Sequence, residues 1–74
     1  MPTIDMVATG ANIKALVKQN KMKVTDVQDV FGFNTPQAIF KWFRGDAMPT
    51  IDNMVILAAM FQTTIDQIIV TTVV

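Results

Sequence analysis

At 74 residues the chain has room for one small domain, and without cysteine its core must be held by apolar burial alone, which a hydrophobic content of 51% allows. His, Cys, Ser, Tyr and Glu are all absent, which removes the usual nucleophiles, proton shuttles and soft metal ligands and excludes most catalysis. Net charge is zero but unevenly laid out: residues 1–44 hold Lys14, Lys18, Lys21, Lys23, Lys41 and Arg44 against three Asp, a balance of +3, whereas residues 45–74 hold three Asp and no base, a balance of −3.

From Met6 to Asn20, Ile13, Leu16 and Val17 fall at i, i+3, i+4 and mark one face of a first helix, with Lys14 and Lys18 on another. Asp5 and Thr9 are alternative N-caps, Gly10 weakens the helix if it lies inside, and Asn20 suits a left-handed end. A second helix is predicted over about Val24 to Phe31, with Val24, Val27, Val30 and Phe31 inward and Gly32 as its stop. Thr25 and Gln28 have capping-box spacing, one turn later than the apolar pattern begins.

Asn34-Thr35-Pro36 reads as the start of a third helix, with Pro at the first helical position and Thr or Asn as cap; the helix spans about 35–44 and turns Ile39, Trp42 and Phe43 inward. After the turn at Gly45 to Pro49, Thr50 caps a fourth helix from about Ile51 to Phe61, with Met54, Val55, Ala58 and Phe61 inward. Thr64 and Gln67 form a second capping-box pattern, opening a short fifth helix through Ile65, Ile68 and Ile69. The β-branched tail, residues 70–74, is predicted to be extended. No repeat, low-complexity stretch or linker interrupts residues 1–74, so the expectation is one all-α domain, a compact five-helix bundle with the six Met filling gaps in its core.

Two short helices separated by Gly32-Phe33-Asn34, the second opening with Pro, have the layout of a helix-turn-helix. At about 100° per residue, placing Ile39, Trp42 and Phe43 inward leaves Gln37, Lys41 and Arg44 outward, with Ala38 and Phe40 on the flanks. Those side chains suit the major groove of double-stranded DNA: Gln pairs bidentately with adenine, Lys or Arg with guanine or phosphate, and Ala or Phe touches a thymine methyl. Thr35 and the first amides of the helix are placed to hold a phosphate, and Lys23 with Lys14, Lys18 and Lys21 flanks the motif. Each has a plainer reading. Gln37, Lys41 and the other lysines also serve as solvated surface, Trp42 as a core anchor, and Arg44 as a partner for Asp46.

The run Val27 to Trp42, followed by Arg44-Gly45, Met48-Pro49, Ile51 to Met54 and Thr64 to Ile68, resembles the phage-repressor-like (Cro/cI, XRE) helix-turn-helix family, and within it a small bacterial subgroup with one extra residue in the turn. The likeness covers nearly the whole chain, including Ala8-Thr9-Gly10 and Asn12-Ile13. It implies a lambda-repressor-like fold whose third helix reads the major groove, usually in a dimer. Lys23 stands where such proteins often place a Ser cap, Val24 where many carry a polar phosphate contact, Phe43 replaces the usual Glu or Gln, and Phe40 stands where Tyr or a smaller polar residue is common. These departures leave fewer polar contacts for DNA.

The expected function is therefore a sequence-specific transcriptional regulator, a repressor acting by operator occupancy, needing no cofactor or metal. The alternative is a protein-interaction module on the same fold, an antitoxin or phage-control partner using Phe40, Phe43 and the tail. The apolar segment Ile68 to Val74 suggests a homodimer. No apolar run reaches the roughly 18 residues of a membrane span, and no signal-peptide profile opens the chain, so a soluble cytoplasmic protein is expected.

Overall fold

In the computed structural model, which describes residues 1–74, the element order is β1 (Pro2–Ile4), α1 (Met6–Gln19), α2 (Val24–Phe31), α3 (Gln37–Arg44), α4 (Ile51–Met60), α5 (Ile65–Ile68) and β2 (Thr71–Val73). Asp5 starts α1: its extended backbone precedes the helix, and its carboxylate accepts the Ala8 N–H at 2.9 Å. At the other end Asn20 keeps a negative φ, its side-chain amide bonding the Leu16 carbonyl at 2.7 Å, and the left-handed residue is Lys21 at φ 56°. The chain then reverses into α2, where Lys23 is the N-cap residue and its N–H donates to the Asp26 carboxylate at 2.7 Å. A lysine ammonium has no lone pair to return, so only this half of a capping box forms. The Thr25 and Gln28 pairing expected from spacing does not form, because the helix is already running at Val24.

The start of α3 differs from its sequence-based expectation. Pro36 is the N-cap and not the first helical residue, no side chain caps the helix, and Thr35 lies in the bend before it. Pro36 keeps the use of its carbonyl, which accepts the Phe40 N–H at 3.1 Å. Gly45, at φ 78°, ends α3, and Thr50 caps α4 through the Asn53 N–H at 3.3 Å. In α5 the Thr64 hydroxyl makes no capping bond; the Gln67 N–H reaches the Thr64 carbonyl instead, as suits a helix of 4 residues.

The core is Ile13 and Val17 of α1, Val27 of α2, Ile39 and Trp42 of α3, Met54, Leu57 and Ala58 of α4, then Phe61 and Ile68. Helical phase decides two corrections. Val30 and Val55 face solvent, and Leu57, which three-residue spacing from Met54 brings under the same face, is fully enclosed. Of the methionines, Met54 is buried and Met22 and Met60 pack beside the core, but Met1 and Met6 are exposed, so the gap-filling role holds for only part of the set.

Gly10 does lie inside α1, and its lack of a side chain is what lets α1 rest on the end of α3. A Cβ there would sit 2.1 Å from the Trp42 carbonyl oxygen and 2.8 Å from that of Phe43. A Cβ on Gly45 would reciprocally sit 2.8 Å from Val7 Cα, so the two glycines form one close backbone contact.

The all-α expectation is corrected by a small sheet. The tail is extended, and it pairs antiparallel with β1 in the register Pro2 to Val73, Thr3 to Thr72 and Ile4 to Thr71. Nothing local in Pro2–Ile4 announces a strand; the pairing partner lies at the far end of the chain. Thr9 explains how that end is held. Fully buried, its hydroxyl accepts the Val70 N–H at 2.9 Å and donates to the Val70 carbonyl at 3.3 Å, while the Asn12 amide bonds the carbonyls of Gln67 and Ile68, each at 2.9 Å. Thr9 is thus an interior tether and not a cap. No helix is long and apolar enough to cross a membrane.

Candidate nucleic-acid interface

The turn between α2 and α3 is built from three local constraints. Gly32 adopts φ 68°, the Phe33 N–H closes back on the Gln28 carbonyl at 3.1 Å, and the Gln28 side-chain amide donates to the Phe33 carbonyl at 3.0 Å. Phe31 and Phe33 stack with ring centroids 5.3 Å apart, and both meet the buried Trp42 edge-on, at 5.5 and 5.9 Å. The aromatic triad joins the turn to α3, so that the angle between α2 and α3 is set by interior packing. Its spacing from Thr25 suits Gln28 to a cap; its role in bracing the turn depends on how close Phe33 folds back, which spacing does not encode.

With Ile39 and Trp42 held inside, the helical period brings Gln37, Phe40, Lys41 and Arg44 together around one shallow depression of about 360 Å³ on the outer face of α3. Gln37, Lys41 and Arg44 are exposed, and Phe40 is 41% exposed. The Phe40 ring meets Phe43 edge-on at 6.1 Å, and Phe43 is half-buried, a boundary residue and not a fully inward one. Ala38 is half-buried and outside the depression, Thr35 is exposed ahead of the helix, and Lys23 is exposed at the start of α2. The first turn of α3 has no side-chain cap, so no side chain takes up its leading amides.

Phe43 links this face to a second hollow of about 180 Å³, lined by Lys14, Val17, Lys18, Met22, Val24 and Phe43. Two of the α1 lysines therefore stand beside the α2 and α3 pair across an apolar floor. Arg44 is less free than its exposure implies: its Nε donates to the Asp46 carboxylate at 2.8 Å, both side chains being 59% exposed. No group of His, Cys, Asp or Glu side chains is placed to hold a metal ion. The face offers amide, cationic and aromatic contacts for recognition, and no nucleophile beside a base.

A helix-turn-helix family model, of the XRE and Cro/cI type, matches residues 13–68, from the middle of α1 to the end of α5. Neither the curated proteins nor the solved structures yield a match. With the α2, turn and α3 geometry inside the matched stretch, the chain belongs to the phage-repressor-like (XRE, Cro/cI) helix-turn-helix family, a family of DNA-binding regulators and not of enzymes.

Proposed function

We propose that the protein is a repressor that occupies an operator with α3 in the major groove, acting as a homodimer held through its C-terminal segment. The observation that carries the reading is the single depression on α3 shared by Gln37, Phe40, Lys41 and Arg44. Gln37 suits adenine, Lys41 suits guanine or phosphate, and the Phe40 edge suits a thymine methyl; Ala38 sits at the margin of that contact. Thr35 and the uncapped start of α3 suit a phosphate, as does Lys23 at the start of α2. Two half-sites about 34 Å apart would offset the modest charge of one subunit.

Amide NMR of the labelled protein with a mixed-sequence duplex tests the reading. Shifts confined to residues 34–44 and the start of α2, fading as salt rises, are expected, because phosphate contacts release counterions. Absence of shifts at low salt would leave the DNA reading without support. Two observations favour the second reading, a protein-interaction module: Asp46 engages Arg44, and Phe40 lies half-exposed beside Phe43, which suits an apolar partner better than a phosphate backbone. In that case the same titration moves no signals with DNA.

A further inference from the structure

The hollow between α1, the start of α2 and Phe43 differs from the α3 depression in what lines it. Lys14, Val17 and Lys18 lie on one face of α1 at i, i+3 and i+4, Met22 and Val24 come from the turn into α2, and Phe43 from α3, so four of its six lining residues are apolar. The lysine stems form walls while their ammonium groups stay in water at the rim, one helical turn apart, about 6 Å along the axis. Lys21 and Lys23, both exposed, alternate in the chain with Met22 and Val24 and add two further charges. No carboxylate balances the four. Residues 6–25 contain neither Asp nor Glu; of the carboxylates that bracket this stretch, Asp5 accepts the Ala8 N–H and Asp26 the Lys23 N–H, and the one ion pair of the molecule, Arg44 with Asp46, lies elsewhere.

We infer that this hollow is the docking site of an acidic peptide segment of another protein, which seats one large apolar side chain on Val17, Met22, Val24 and Phe43 and sets carboxylates against Lys14 and Lys18. Size selects the occupant. At about 180 Å³ the hollow falls short of the roughly 300 Å³ from which sites for drug-sized molecules usually run, but it admits a single Leu or Phe side chain. Charge selects the sign: four lysines without a carboxylate among them attract an acidic segment and repel a basic one. The apolar floor disfavours a nucleic acid here, because phosphate oxygens pressed on Val17, Met22, Val24 and Phe43 would lose water and gain no donor. Two carboxylates one turn apart on a helix, with an apolar residue between them, match the order Lys14, Val17, Lys18, so the segment fits as one face of a short amphipathic helix. The site is separate from the Gln37 and Lys41 face and stands whether or not that face reads DNA.

Amide NMR of the full labelled chain with a synthetic peptide tests the site. The probe is a helix-forming peptide of about 12–15 residues with one Phe between two Glu four positions apart. The expected result is a set of shifts centred on Lys14, Val17, Lys18, Met22, Val24 and Phe43. Affinity should fall roughly ten-fold or more when Ala takes the place of the peptide's Phe. A similar loss, roughly ten-fold, is expected for the protein variant Lys14→Glu with Lys18→Glu, since both attractions become repulsions. If that variant does not keep the parent's spectrum, Lys14→Gln with Lys18→Gln replaces it, with an expected loss of roughly three-fold. No shifts at millimolar peptide, equal affinity for the Ala peptide, or full affinity in the folded lysine variant would overturn the peptide site. A DNA duplex that moves these same amides and expels the peptide would give the hollow to nucleic acid and overturn it as well.

Discussion

Gly10 acts through the side chain it lacks, and its place in α1 reverses the usual preference for alanine. In an isolated helix Gly10→Ala is favourable, since alanine is the better helix former by about 1 kcal/mol. In this fold the added methyl would have to displace the Trp42 carbonyl, with no flexible side chain to give way, so the helix gain is outweighed. Urea denaturation is expected to show a net loss of about 1–3 kcal/mol or more; a stabilised variant would mean that α1 and α3 do not meet so closely. Asp46 acts on charge and not on packing. Its ion pair with Arg44 is exposed, so Asp46→Asn should change stability by under about 1 kcal/mol. If the DNA reading holds, the released guanidinium should tighten binding to a duplex and steepen its salt dependence. An unchanged salt slope on fluorescence titration would count against Arg44 as a phosphate contact.

The α2, turn and α3 unit is positioned by buried aromatic packing and offers its outer side to a partner, and the two sides can be tested separately. The Gln37 and Lys41 side chains are exposed and make no hydrogen bond or ion pair within the fold, so replacing either by Ala should leave the thermal midpoint nearly unchanged. Loss of about 1–3 kcal/mol of operator affinity is expected if they contact bases. If Lys41 meets phosphate instead, its loss should weaken all duplexes alike and reduce the salt slope by about 1. Full affinity in both variants would assign recognition elsewhere than α3. Much of this unit follows from short-range patterns. Ile39 and Trp42 at i, i+3 fix which side of α3 is interior, and Gly32 and Gly45 fix where α2 and α3 stop, because a left-handed residue is cheapest there as glycine. The start of α3 was less readable, since Pro36 is compatible with the N-cap position as well as the first turn.

The two ends of the chain are joined by contacts that no local pattern encodes. Thr9 and Val70 are 61 positions apart, yet the Thr9 hydroxyl gives Val70 both a donor and an acceptor in the interior. Thr9→Val keeps the shape and removes both bonds; the Val70 carbonyl still accepts the Asp5 N–H, but the Val70 N–H loses its acceptor, at a cost of about 1–3 kcal/mol. For a domain of this size each kcal/mol lowers the thermal midpoint by about 4–8 °C. Amide exchange in this variant should quicken first at Val70 and along the sheet; a midpoint unchanged from the parent would show that the tether contributes nothing to stability.

The helices, their inner faces and the candidate recognition residues Gln37, Phe40, Lys41 and Arg44 were within reach of the sequence, because periodicity, caps and glycine stops act over a few residues and the chain carries them explicitly. Val30 and Val55 were misplaced because spacing narrows a face to a sector, and the neighbouring helices choose within it. The pairing of Arg44 with Asp46, two positions apart, was also open to the sequence, whereas the sheet, the Thr9 and Asn12 tethers and the Gly10 crossing depended on folding. A strand of 3 residues has no stability of its own, a polar side chain has several satisfactory partners, and a glycine is tolerated in many places. Which partner is taken is set by the distances that packing of α1 on α3 imposes.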